Sequence, residues 1–97
     1  MFSKNKKSNY DFSGKKFEIK IFGTGCAKCD KLEKNVQNIV DKYNIEAVTE
    51  HVTDIKEILS AGVISTPGLM INGKLISTSK VLNERELLKK LSESLDV

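Results

Sequence analysis

The sequence predicts an α/β fold with its elements in the order β-α-β-α-β-β-α, forming a four-stranded mixed sheet flanked by three helices. Three observations carry this. Apolar and charged residues alternate from Phe17 to Ile21, an apolar stripe at helical spacing follows from Leu32 to Tyr43, and Asn72-Gly73 separates two short apolar runs. The stripe and its flanking β-like stretches make a β-α-β unit, whose right-handed crossover sets the first two strands parallel. Asn-Gly between apolar runs signals a type I′ hairpin, because both turn residues must accept positive φ, so the last two strands are antiparallel.

The elements are justified in turn. Phe17, Ile19 and Ile21 share one face of a first strand that Phe22 closes, with Glu18 and Lys20 on the other face; Gly23-Thr24-Gly25 ends it. Leu32, Val36, Ile39, Val40 and Tyr43 then lie along one side of a helix from about Cys26 to Lys42. Glu46 to Val52 is the second strand. Asp54 precedes Glu57 at capping-box spacing and opens a short helix carrying Ile55, Ile58 and Leu59, which Gly62 stops. Val63-Ile64-Ser65-Thr66-Pro67 leads into the hairpin of Gly68–Ile71 and Lys74–Ser77. Asn83 and Glu86 repeat the capping-box spacing before a last helix that turns Leu87, Leu88, Leu91 and Leu95 inward.

At 97 residues, 39% apolar and 30% charged, the chain has the size and composition of one ordinary globular domain. Residues 1–16 hold five lysines against Asp11, whereas residues 17–97 hold eleven basic and twelve acidic groups. The expected division is therefore a basic leader over 1–16, flexible or loosely docked, and a nearly neutral domain over 17–97, which argues against a nucleic-acid groove in the body. No apolar run approaches the roughly 20 residues of a membrane-spanning helix. No apolar segment follows the leading lysines as in a secretory signal, so a cytoplasmic location is expected. In that reducing setting a close cysteine pair points to catalysis or metal binding rather than a structural staple.

The pair is Cys26-Ala27-Lys28-Cys29, between a strand and the start of a helix. Free N–H groups and the helix dipole there favour an anion, lowering the pKa of the Cys26 thiol from its usual ~8.5. Cys29, one turn further in, is placed to attack a mixed disulfide at Cys26. Three readings are open: dithiol–disulfide exchange, for which CxxC beside a β-α-β unit is the cue; a two-thiolate site for Cu(I), Zn(II) or arsenite; and two inert buried cysteines. Copper-chaperone domains share this opening but run β-α-β-β-α-β, whereas this chain ends in a helix. His51, the single histidine, ends the second strand, and such a histidine is more often structural than a ligand.

Thr66-Pro67 follows about forty residues later, just before the hairpin. The run Ile19-Lys20-Ile21-Phe22-Gly23-Thr24-Gly25-Cys26-Ala27-Lys28-Cys29, continuing to Leu32-Glu33-Lys34-Asn35, together with Ser65-Thr66-Pro67-Gly68-Leu69, resembles the thioredoxin superfamily. It is most similar to the short thioredoxin- and glutaredoxin-like redox-active disulfide proteins of archaea and some bacteria. The resemblance spans residues 17 to 95 and implies the minimal thioredoxin fold. It also implies Cys26 as attacking thiol, Cys29 as resolving thiol, and a cis Thr66-Pro67 bond facing the pair. Gly25, Ala27, Lys28, Thr66 and Pro67 would then contact the substrate. The implied activity is thiol–disulfide exchange by a monomeric electron carrier of the protein-disulfide-reductase type. It would serve client disulfide proteins, be recharged by a thioredoxin-reductase-type donor, and need no bound cofactor. Thioredoxins carry Trp before the first cysteine, Gly-Pro between the two, and a buried acid six residues upstream; Gly25, Ala27-Lys28 and Lys20 stand at those positions here.

Overall fold

The computed structural model describes residues 12, 14–23, 25 and 27–94. Strand β1 (Lys16–Phe22) leads into helix α1 (Ala27–Lys42), strand β2 (Glu46–Val52), helix α2 (Ile55–Ser60), strands β3 (Gly68–Ile71) and β4 (Lys74–Thr78), and helix α3 (Glu84–Ser94). The sheet order is β2-β1-β3-β4, with β1 parallel to β2 and antiparallel to β3, and β3 antiparallel to β4. Crossover handedness and hairpin chemistry predict this arrangement of parallel and antiparallel pairs.

The alternation along β1 divides the interior into two layers. Phe17, Ile19 and Ile21 point to one face, where Leu32, Val36 and Ile39 of α1 and Leu87, Leu88 and Leu91 of α3 bury them with Leu69 and Ile71 of β3. Phe22 points to the other face and meets a smaller cluster of Val52, Ile58 and Val63 beneath α2. Burying one Leu, Ile or Phe side chain contributes about 1.5–3 kcal/mol, so the face shared by two helices carries most of the stabilisation. Leu95, the outermost leucine of the expected α3 stripe, lies outside the described residues.

Local chemistry sets the ends of the elements. Asn83 and Glu86 form the expected reciprocal box: Glu86 N donates to Asn83 Oδ1 at 2.8 Å and Asn83 N donates to Glu86 Oε1 at 2.9 Å. At α2, Asp54 is the N-cap, but its carboxylate accepts from Lys56 N at 2.9 Å. This is an Asx-type cap at N2 in place of the expected pairing with position 57. Gly62 follows α2 at φ +90° and lets Val63 N turn back to donate to Ile58 O. Asn72 (φ +51°) and Gly73 (φ +83°) make the hairpin turn, and Asn72 clips it to β1 by donating to Glu18 O and accepting from Glu18 N.

Two differences from the sequence expectation concern the start of the domain. Strand β1 begins at Lys16, one residue early. Phe12, within the stretch expected to be flexible or loosely docked, is buried in the main core and stacks edge-on against Phe17 at 5.5 Å between ring centres. An aromatic ring provides enough apolar area to bind a Lys- and Ser-rich segment to the body, which the average composition of that segment conceals.

Candidate active site

Because β1 and β2 are parallel, their carboxyl ends lie at one end of the sheet, and the chain returns to that end through residues 63–67 before β3 starts opposite Phe22. Topology alone therefore gathers Gly23, the first turn of α1, and Thr66-Pro67. Gly23 joins them closely. A Cβ built on Gly23 would overlap Cys29 Sγ, and would stand 3.1 Å from Cys29 Cβ and 3.8 Å from Thr66 Cβ. Gly23 N donates to Val52 O at 3.0 Å, which extends the β1–β2 ladder beneath the thiol. In the sequence Gly23 reads only as a strand terminator. Its place as the floor of the cysteine site depends on a helix packing onto the strand behind it, and no local pattern encodes that.

Cys29 lies in the first turn of α1, is completely buried, and is engaged in a disulfide, so it does not titrate. Cys26 and Thr24 lie outside the described residues. Of the other predicted site residues, Gly25 is exposed at φ +60°, a conformation that favours glycine, and Ala27 and Lys28 are exposed on the first turn of α1. Pro67 is buried, Thr66 is half-buried, and the peptide bond between them is cis.

The loop holding Thr66-Pro67 is fixed from two sides. Ser79, at φ +63°, donates its N–H to Pro67 O at 2.8 Å and ties the loop to the end of β4. On the other side Gly68 lies so close to Val63 that a Cβ there would come within 2.7 Å of Val63 Cγ2 and 2.9 Å of Val63 Cγ1. Close contact with Val63 inside the protein thus favours glycine at 68.

Lys20 lies half-buried on the face away from Cys29. It opens onto a hollow shared with Phe22, Met70 and the α2 residues Lys56, Glu57 and Ser60. His51 faces α1, beside Ile21 in the parallel register, and its Nδ1 is 3.1 Å from Glu33 Oε1. Among the described residues no three His, Cys, Asp or Glu side chains converge as a metal cluster would require, and no helix is long and apolar enough to cross a membrane.

Comparisons with known proteins agree with this architecture. The thioredoxin domain family matches residues 17–92. A thioredoxin of Methanothermobacter thermautotrophicus is 40% identical over 75 residues, covering 77% of this chain and 97% of the relative. One from Methanocaldococcus jannaschii is 35% identical over 78 residues, covering 80% and 90% respectively. Among solved structures, the germline-specific thioredoxin Deadhead of Drosophila melanogaster superposes with a TM-score of 0.58 at 17% identity, over 90% of this chain and 86% of that one, a likeness of fold. With the family match spanning nearly all of the described body, and with relatives covered almost end to end, the chain belongs to the thioredoxin family.

Proposed function

We propose that this protein is a thiol–disulfide oxidoreductase whose redox couple is Cys26 and Cys29. The observation that carries the reading is Cys29 itself: a fully buried cysteine, already in a disulfide, packed on Gly23 and beside Thr66. A thiol so enclosed meets a partner bound next to it in the fold more readily than a protein client, which suits the resolving role. In the forward cycle the Cys26 thiolate attacks a client disulfide, one client thiolate leaves, and a mixed disulfide forms. Cys29 then attacks the Cys26 sulfur, the second client thiolate leaves, and the Cys26–Cys29 disulfide closes. The client gains two electrons, which a thioredoxin-reductase-type donor restores.

Client contact falls to Gly25, Ala27, Lys28, Thr66 and Pro67. Ile64, 89% exposed two residues before Thr66, adds an apolar contact beside them. We place the protein in the cytoplasm as a monomer that needs no cofactor, with a domain over 17–97 behind the basic leader. The soft-metal alternative uses the same two thiolates, and the disulfide at Cys29 favours exchange over it. Trapping tests the reading. Cys29→Ser accumulates stable mixed disulfides with clients, Cys26→Ser accumulates none, and the wild-type protein reduces insulin when supplied with a reductase. Purification with stoichiometric metal, without insulin reduction or trapping, would overturn it.

A further inference from the structure

His51 and Glu33 form a side-chain pair between β2 and α1, apart from the disulfide and the cis-proline loop. Glu33 is four residues after Cys29, one turn further along α1 on the side that borders the sheet. His51 precedes Val52, whose carbonyl accepts from Gly23 N, and Gly23 is the residue on which Cys29 Sγ rests. His51 itself pairs with Ile21 in the parallel register, so the imidazole shares the face of β1 on which, two residues further along, Gly23 floors the buried thiol. Its Nδ1 faces Glu33 Oε1 at 3.1 Å, whereas its Nε2 is buried with no hydrogen-bond partner.

This arrangement selects one tautomer. A proton on Nδ1 is donated to the Glu33 carboxylate and leaves Nε2 as a bare lone pair. A proton on Nε2 instead would bury an N–H without an acceptor and set the Nδ1 lone pair against the carboxylate. A neutral imidazole oriented by a carboxylate, with a buried and unpartnered second nitrogen, is a base ready to accept a proton. The other groups near it offer no substitute. On that face β1 supplies Ile19 and Ile21, and α1 supplies Cys29 and Glu33, with Asp30 and Lys34 exposed at the helix surface. No residue of the described core is polar or charged apart from the cysteine. Ser77 Oγ, the other buried side-chain atom without a partner among the described residues, belongs to β4, two strands from β1, and does not take up a proton near neutral pH.

We propose that His51, positioned by Glu33, accepts the Cys29 proton when Cys29 resolves the mixed disulfide. This rests on the exchange reading. In the step, the Cys29 S–H proton passes to His51 Nε2, directly or over one bridging water, as Cys29 sulfur bonds to Cys26 sulfur. The Cys26–client bond breaks, the client departs as a thiolate, and the imidazolium afterwards returns its proton to that thiolate or to solvent. Glu33 is a positioning residue that fixes the orientation and tautomer of the ring.

Stopped-flow reaction of the reduced protein with Ellman's reagent separates the two sulfur transfers, since attack by Cys26 releases one nitrothiobenzoate and resolution by Cys29 a second. His51→Gln slows the second release at pH 7 and leaves the first unchanged. The ceiling is about 30-fold, because a thiol of ordinary pKa ~8.5 is only about 3% ionised at that pH. Glu33→Gln slows the same phase by less. The second phase in the wild type shows a step in its pH profile at the His51 titration midpoint, and His51→Gln removes that step. His51 is the sole histidine, so its ring resonances can be followed without ambiguity by NMR in the wild-type protein. Their midpoint shifts between oxidised and reduced forms. An unchanged second phase in His51→Gln, or identical titrations in the two redox forms, overturns the proposal, and the NMR result decides alone if the variant does not fold. Absence of any second release from the wild type would instead sink the exchange reading.

Discussion

Placing a methyl group on Gly23 tests the contact at the centre of the site. In Gly23→Ala the new Cβ would overlap Cys29 Sγ and sit 3.1 Å from Cys29 Cβ. Overpacking of this kind costs about 1–3 kcal/mol. Gly23 does not occupy the left-handed region, so alanine recovers about 0.4–1 kcal/mol by restricting the unfolded chain. The two redox forms bear the clash unequally. In the dithiol, Cys29 Sγ can rotate about χ1 and relieve most of the overlap, leaving the tight contact at Cys29 Cβ, whereas in the disulfide the sulfur is covalently tied and the helix must move. We expect the oxidised form to lose roughly 1–2 kcal/mol more than the reduced form. At about 30 mV per 1.4 kcal/mol, the reduction potential then rises by some 20–45 mV, making the disulfide easier to reduce. Equilibration against a glutathione series gives the potential, and urea denaturation of both forms gives the stabilities. A potential unchanged within 10 mV or so, with both forms as stable as wild type, would show that α1 accommodates the methyl and would refute the argument that Gly23 is the floor of the site.

Three further outcomes are expected. Gly68→Ala, whose Cβ would press on both methyls of Val63, costs about 1–3 kcal/mol by denaturant titration, and Val63→Ala in the same chain recovers part of it by removing the obstructing atoms. Asn83→Ala removes the acceptor for Glu86 N and half of the α3 capping box, costing about 1 kcal/mol with the reduction potential unchanged. The hydrogen bond to Glu84 and the attraction of its carboxylate hold the Lys42 ammonium above its ordinary pKa. Because the folded pKa is raised, this contribution is present throughout the range below the unfolded value and is lost as pH climbs through the folded one. Lys42→Met therefore lowers the denaturation midpoint slightly at pH 7, less in high salt, and the difference from wild type closes only at strongly alkaline pH.

The fold could be read from the sequence because its signals are local. Alternation in β1, the apolar stripe on α1, Asn72-Gly73 and the Asn83/Glu86 box each state their structure within a few residues, and the crossover rule then joins them. Less legible are the residues that answer to something distant. Phe12 sits in a segment whose lysines and serines suggest solvent, yet a single ring finding Phe17 outweighs that composition. At α2 the spacing of Asp54 and Glu57 permits a box, but in a six-residue helix the carboxylate is satisfied one residue earlier, by Lys56 N.

The site divides in the same way. CxxC and Thr66-Pro67 stand out because their chemistry is intrinsic to the residues, wherever the fold carries them. Gly23 and His51 are ordinary letters in the sequence: one reads as a strand terminator, the other as an isolated histidine. Their meaning comes from the parallel pairing of β1 with β2 and the packing of α1 above it. The pairing hydrogen-bonds Gly23 to Val52, the neighbour of His51, and the packing lays Cys29 on Gly23 and Glu33 beside the imidazole. Two of these contacts join residues 18 and 29 positions apart, beyond any local window, and the third, six apart, forms only because α1 folds back over the end of β1. The consequence is that a cysteine pair grafted onto another strand–helix junction would keep its thiols yet lose this floor and the imidazole proposed as its base. Reactivity in this protein therefore belongs to the sheet register as much as to the motif.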